Sequence, residues 1–306
     1  VSGRTVAEAA VNPVPYAHFA SVSGTANSLG FPDCPTEYER VIDSSGGFEA
    51  ASERRLCRRG TDTIVRVGSG ASAFWIDRYE ASIYATRDGS GAAGGLGSTG
   101  PYNERTFPPN GQVDAGTPHY ALSVVQAAGF PPSRYTTWFQ ASAACRESGK
   151  RLPTGEEWLA AAANTPDAGA TNGLGGSCLT IGTTTPRNPG AGTACRSRWG
   201  AEDMVGNLRE WTMEWFGGAD APAGSTRVNP RWPTDYGDSL SRSFRGTVTV
   251  IGADPGPVDS RDGIPAATIR GGSFIDGVEA GIWWIDVGGA ASAGDRTIGF
   301  RCVIPR

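Results

Sequence analysis

GAEDMVGNLREWTMEWF, residues 200–216, packs acidic, glycine and tryptophan positions more densely than any other stretch of the 306-residue chain, and its reading decides the rest. Gly206 and Asn207 lie between two carboxylates, Asp203 and Glu210. They let the backbone turn sharply enough to aim carbonyls inward, so the stretch reads as a loop with an oxygen-lined interior. Hard cations such as calcium take shells of this kind, mixing carboxylate and main-chain oxygen. A second reading needs no metal: Asp203 caps a turn, Glu210 pairs with one of the many arginines, and Trp211 and Trp215 are plain core.

Composition bounds what such a loop can belong to. With 39% hydrophobic residues the chain can bury a sizeable core, as one large domain or two small ones. Forty-four glycines and 21 prolines argue for long ordered loops and short strands rather than a helical bundle. A net charge of -4 and a pI near 5.4 give no electrostatic footprint for nucleic acid or an anionic membrane. Lys150 is the only lysine, so nearly all positive charge is arginine, the residue suited to bidentate ion pairs and to stacking on tryptophan. No stretch approaches the apolar length of a transmembrane helix. The opening residues, VSGRTVAEAAV, lack a charged region followed by an apolar run, which is expected of a processed or soluble protein.

The cysteines form no CxxC or Cys/His cluster, and with only His18 and His119 available zinc is not expected. Six cysteines in a loop-rich chain favour three disulfides and an oxidising compartment over reduced thiols in a cytosol. Fifteen pairings exist for six cysteines. Cys34 with Cys57, and Cys178 with Cys195, each close a local loop, which leaves Cys145 with Cys302.

Along the chain, residues 1–62 show little periodicity and read as an irregular extension packed on a domain spanning 63–306. TIVRVGSGASAFWIDRYEASIYA, residues 63–85, predicts a hairpin around its GSG turn, with Phe74, Ile76 and Tyr79 inward. Residues 87–118 and 217–262 read as long polar loops. Between them, Thr137 with Gln140 and Thr154 with Glu157 fit capping boxes and predict two short helices, the first ending at Gly149. Residues 164–199 are a loop bridged by Cys178 and Cys195. ATIRGGSF and IGFRCVIP read as strands flanking a long excursion.

Four segments in order, FWIDRYEAS, GKRLPTGEEWLAAA, GAEDMVGNLREWT and IRGGSF with GFRCV, resemble the formylglycine-generating enzyme family, also called sulfatase-modifying-factor domains, over roughly residues 63–303. The resemblance implies an α+β, C-type-lectin-like fold with low regular secondary structure and long loops. It places structural calcium on Asp203 and Glu210 by side chain and on Gly206 and Leu208 by carbonyl. Arg209 stands where the family usually has tryptophan, a departure expected to touch the neighbouring surface. The family's frequent disulfide between the first helix and the GFRC strand matches Cys145 and Cys302.

Members that make formylglycine use two cysteines between GGS and GFR to hold copper and activate oxygen, and here FIDGVEAGIWWIDVGGAASAGDRTI has none. Neither serine nor aspartate replaces a thiolate in that chemistry. Two distant histidines cannot supply the iron triad of the related sulfoxide synthases. The same segment resembles the variable region of lectin-fold proteins diversified by retroelements, with matching variable positions at Ile275, Asp276, Glu279, Asp286, Gly288, Gly289, Ala293, Asp295 and Thr297.

These readings lead to a non-catalytic, secreted or surface-exposed protein in an extracellular, periplasmic or cell-surface setting. It presents residues 274–298 to an unknown protein or small-molecule ligand, using Phe274, Ile275, Asp276, Glu279, Trp283, Trp284, Asp286 and Asp295. Trp284, Asp286 and Glu279 are expected on one exposed face. The bland alternative keeps both tryptophans in the core and the carboxylates merely solvated. Competing functions are an oxidoreductase of the superfamily with altered chemistry and a structural protein that self-assembles through 87–118 and 217–262. A paired-carboxylate glycosidase has no spacing argument behind it.

Overall fold

The hairpin forms as the alternation predicts. Strands β3 (Asp62–Val67) and β4 (Phe74–Asp77) pair antiparallel across Gly68 and Gly70, both at positive φ, and bury Phe74, Ile76 and Tyr79. The structure is a computed structural model that describes residues 34–41, 56–89, 119–125, 131–167, 169–216, 266–291 and 294–304. Nearly all of the loops expected at 87–118 and 217–262, and Ala293, lie outside these residues.

β1 (Glu39–Arg40), β2 (Leu56–Arg59), β3, β4 and β11 (Val303–Ile304) form one sheet in that order. β2 pairs with β3 along its whole length, so the boundary expected at 62/63 falls inside a hairpin. β5 (Ser82–Tyr84) pairs with β6 (Tyr120–Leu122). The third sheet has the order β10 (Ile298–Phe300), β7 (Arg209–Phe216), β8 (Ala266–Gly271), β9 (Gly281–Ala290), with β10 parallel to β7 and the other pairs antiparallel.

Two expectations change here. Only the first half of 200–216 is a loop, because residues 209–216 are strand β7. The excursion after GGSF contains β9, the longest strand among the described residues. IGFRCVIP splits into β10 and β11, which enter different sheets and tie them together.

Both helices start as their sequences predict. In α1 (Trp138–Glu147) and α2 (Gly155–Ala162), the Thr137 and Thr154 side chains accept the amides of Gln140 and Glu157, which reciprocate. Each cap is worth about 1 kcal/mol. Gly149, at φ +74, follows the end of α1. α1 buries Ala141, Ala144 and Cys145 against Trp211, Ile269 and Phe300, while α2 buries Trp158 and Ala161 against Val65, Ile76 and Met204. Cys34–Cys57, Cys145–Cys302 and Cys178–Cys195 are the three disulfides. None of the helices among the described residues is long and apolar enough to cross a membrane.

Candidate functional site

Asp203 and Asn207 both sit at φ +57, in the left-handed region that aspartate and asparagine tolerate better than most residues. The turn they make does not gather free oxygens. Glu210 accepts from Arg301 Nε and Nη2 at 2.7 and 2.6 Å and from Trp158 Nε1 at 2.7 Å. Asp203 accepts from Arg187. Between them Glu80 accepts from Asn207 and from the Leu208 amide, and burial, with the charges of Asp203 and Glu210, pushes its carboxyl well above the ordinary range. No group of three or more acidic, histidine or cysteine side chains is poised around a common metal position among the described residues. Arg187 and Arg301 hold Asp203 and Glu210, the two carboxylates expected to ligate calcium together with the Gly206 and Leu208 carbonyls, so calcium would have to displace these arginines. Glu210 pairs with arginine and Trp211 is fully buried, whereas Asp203 pairs with Arg187 and Trp215 is half-buried.

A second buried set lies nearby. Lys150 Nζ donates to Asp62 and Asp77 at 2.7 and 2.6 Å, and Tyr38 donates to Asp62 at 2.5 Å. Burial pushes Asp77 up to about 6, against Lys150, which lowers it, and with Asp62, which raises it.

The segment 274–298 is different. Phe274 is wholly buried, with the Arg296 guanidinium 5.7 Å from its ring centre, so it supports the face and does not belong to it. Gly277, Ala280 and Gly281 are buried, and Ile275, Val278 and Glu279 between them are exposed. Along β9, Trp283, Ile285 and Val287 are exposed, Trp283 at 71%, and Trp284 and Asp286 are half-buried. The expected grouping of Trp284, Asp286 and Glu279 on one exposed face therefore gives way to an outward row of Trp283, Ile285 and Val287. Strand alternation causes this, because neighbours on a strand face opposite ways.

Arg209 organises the other side of the segment. Its guanidinium binds Asp276 through two nitrogens, with Nε to Oδ2 at 2.9 Å, and lies 5.0 Å from the ring centre of Trp284. Asp276 also accepts from the Ser273 amide at 2.6 Å and the Ser273 hydroxyl at 2.9 Å. Burial acts to raise Asp276, but Arg209 and Ser273 outweigh it and hold the carboxyl below its ordinary value. Burial acts to lower Arg209, and Asp276, Asp286 and Asp295 outweigh it. Asp295 is exposed, and one of its oxygens accepts from the amide and hydroxyl of Thr297, closing the turn before β10. The sequence reading missed Arg209 as a member of the site, although its place in a family tryptophan position was the available signal. An acid-lined surface with an aromatic ring and a fixed guanidinium can accept and donate hydrogen bonds and offer apolar contact.

A family model described as the Sulfatase-modifying factor enzyme 1-like domain matches residues 72–306. Among solved structures, the P3c variant of the major tropism determinant is 20% identical with a TM-score of 0.40, over 80% of this chain and 52% of that one. The chain thus spans about half the length of that protein. Treponema denticola variable protein 1 is 18% identical with a TM-score of 0.43, over 79% of this chain and 94% of that one. PvdO from Pseudomonas aeruginosa is 14% identical with a TM-score of 0.38, over 79% and 94%. No curated protein matches the chain.

Proposed function

We propose that this chain, which belongs to the Sulfatase-modifying factor enzyme 1-like domain family and has its α+β, C-type-lectin-like fold, is a non-catalytic ligand-binding protein. Its binding face is the segment 274–298 together with Arg209. The observation that carries this reading is the outward row of Trp283, Ile285 and Val287 on the edge strand β9, whose opposite side carries Trp284 against the Arg209–Asp276 pair. Apolar side chains exposed in a row and flanked by polar groups mark interaction surfaces more often than idle ones. The partner is a protein or small molecule with an apolar group for Trp283 and hydrogen-bonding groups for the acids. Three disulfides match an oxidising compartment, and the setting proposed is extracellular, periplasmic or at the cell surface.

Arrays of glycans and of cell-surface proteins, probed with wild type and with Trp283→Ala, test the face directly. Partners bound by wild type and lost by the variant support it, and partners kept equally by both overturn it. Turnover of a cysteine-containing sulfatase peptide in air with copper would replace the binding reading with an enzymatic one. Structural calcium is proposed on the Asp203 and Glu210 side chains and the Gly206 and Leu208 carbonyls, displacing Arg187 from Asp203 and Arg301 from Glu210. A melting temperature that rises in calcium relative to chelator supports it, through preferential binding to the folded state. Coincident melts leave the arginines as the counter-charges.

A further inference from the structure

Glu210, Arg270 and Ile285 form a cross-strand row on β7, β8 and β9, one residue out of step with Arg209. α2 packs along this row: Trp158 donates to Glu210, and the Arg270 guanidinium lies 5.9 Å from the Trp158 ring centre. Between the first turn of α2 and the sheet is a cleft of about 390 Å³, with Thr154, Gly155 and Glu156 on the helix side and Glu214, Arg270 and Ile285 on the sheet side.

Two opposite charges meet in this cleft without pairing. Arg270 Nε and Glu214 Oε2 are buried atoms that have no hydrogen-bond partner. A methyl group placed on Gly155 would stand 3.2 Å from Arg270 Nε and 3.3 Å from Glu214 Oε2, so both atoms converge on one point that glycine leaves open. The second Glu214 oxygen accepts the Gly155 amide, which fixes the carboxylate in place. Burial lowers the pKa of Arg270, and the Glu214 charge opposes that shift.

We propose that this cleft is a ligand site for a small zwitterion of the α-amino-acid class, whose carboxylate takes the Arg270 guanidinium and whose ammonium takes Glu214 Oε2. A guanidinium fork is matched to a carboxylate, and the carboxylate of Glu214 is an acceptor with an unused oxygen. A neutral polyol can hydrogen-bond to both groups but leaves two desolvated charges without counter-charges. A zwitterion neutralises both at once. Ile285 offers apolar contact at the rim. The site shares Ile285 with the proposed binding face, but its two charged groups, Arg270 and Glu214, lie outside that face, and their use by a ligand does not depend on it.

Calorimetric titration of the full chain tests this with free glycine, leucine, aspartate and arginine, with N-acetyl-leucine and leucine methyl ester, and with glucose and galactose. At least one free amino acid is expected to bind. Blocking its amine or carboxyl is expected to weaken binding about tenfold or more, as losing one partner of a buried charge does. Glu214→Gln, which retains the acceptor for Gly155, and Arg270→Gln are expected to weaken it similarly. The blocked ligands make the test in wild type alone, whatever the variants do to folding. No heat with any amino acid, equal binding of the blocked forms, or binding of the sugars alone overturns the proposal.

Discussion

Arg209 and Glu210 are adjacent on β7, and each is half of an arginine–carboxylate pair, yet the two pairs sit in opposite surroundings. In the Glu210–Arg301 pair the side chains are 1% and 0% exposed, and Glu210 accepts three hydrogen bonds. In the Arg209–Asp276 pair they are 25% and 9% exposed, and the cation is shared among three carboxylates and a tryptophan. Strand alternation alone separates them. Glu210 faces α2 and its Trp158, whereas Arg209 starts the opposite face, which is open to solvent at Arg209 and closes over Trp211 against α1. The same kind of contact is thus sealed in the interior or left partly open to solvent according to which side of one strand it occupies.

The sharpest way to break this comparison is to remove Arg301. Arg301→Leu leaves Glu210 buried without a counter-charge and is expected to cost about 3–5 kcal/mol in denaturant unfolding. Arg301→Leu with Glu210→Leu should cost much less, because no lone charge remains. Equal losses would mean that the pair holds the sheet by geometry and not by charge balance. Next in size, Cys178→Ser with Cys195→Ser opens a loop of sequence separation 17 and is expected to cost roughly 3 kcal/mol. It should leave the 274–298 face able to bind.

The pH dependence of Asp276 comes third. Its folded pKa is depressed, so it contributes stability above the unfolded value of about 3.9 and loses it as pH falls through the folded value. The stability gap between wild type and Asp276→Asn is expected to be flat from neutral pH down to about 5 and to close below about 4. Asp77, raised to about 6, has the opposite sign: its ionisation works against folding as pH rises from about 4 to 6. A gap for Asp276 that widens in acid would place it with the deeply buried set. The smallest effect is at the rim, where Glu279→Ala is expected to stay within about 0.5 kcal/mol of wild type, as surface changes usually do.

Apart from Cys145–Cys302, reached by elimination and by family resemblance, the elements legible in the sequence were those fixed by neighbours in the chain. The capping boxes at Thr137 and Thr154, the hairpin around Gly68, and the disulfides closing short loops all follow from residues a few to some twenty positions apart. β7 was not legible, because REWTMEWF is packed on both sides at its start and shows no clean alternation of polar and apolar residues. β9 was obscured by two adjacent tryptophans, where its register against β8 shifts between Gly281 and Ile285. The partners of Glu210 and Asp203 lay out of reach because Arg301 and Arg187 are distant in the chain or could equally have faced solvent. Phe274 was misplaced for the same reason: its burial is decided by Leu179 and Leu208, which only the fold brings beside it.

The division of IGFRCVIP between two sheets sets an order on folding during synthesis. β10 completes the sheet of β7, β11 completes the sheet of β4, and Cys302 between them bonds to Cys145, 157 residues earlier. Residues 298–304 leave the ribosome after every other strand described here. Until they do, Trp211 lacks its Phe300 neighbour and Glu210 its arginine, so both sheets wait with edges open. Such long-range closure is slow and leaves unpaired strands exposed to other chains. Cys34–Cys57 and Cys178–Cys195 close over separations of 23 and 17, but the partner of Cys145 arrives only 157 residues later, after every strand but β11 has been made.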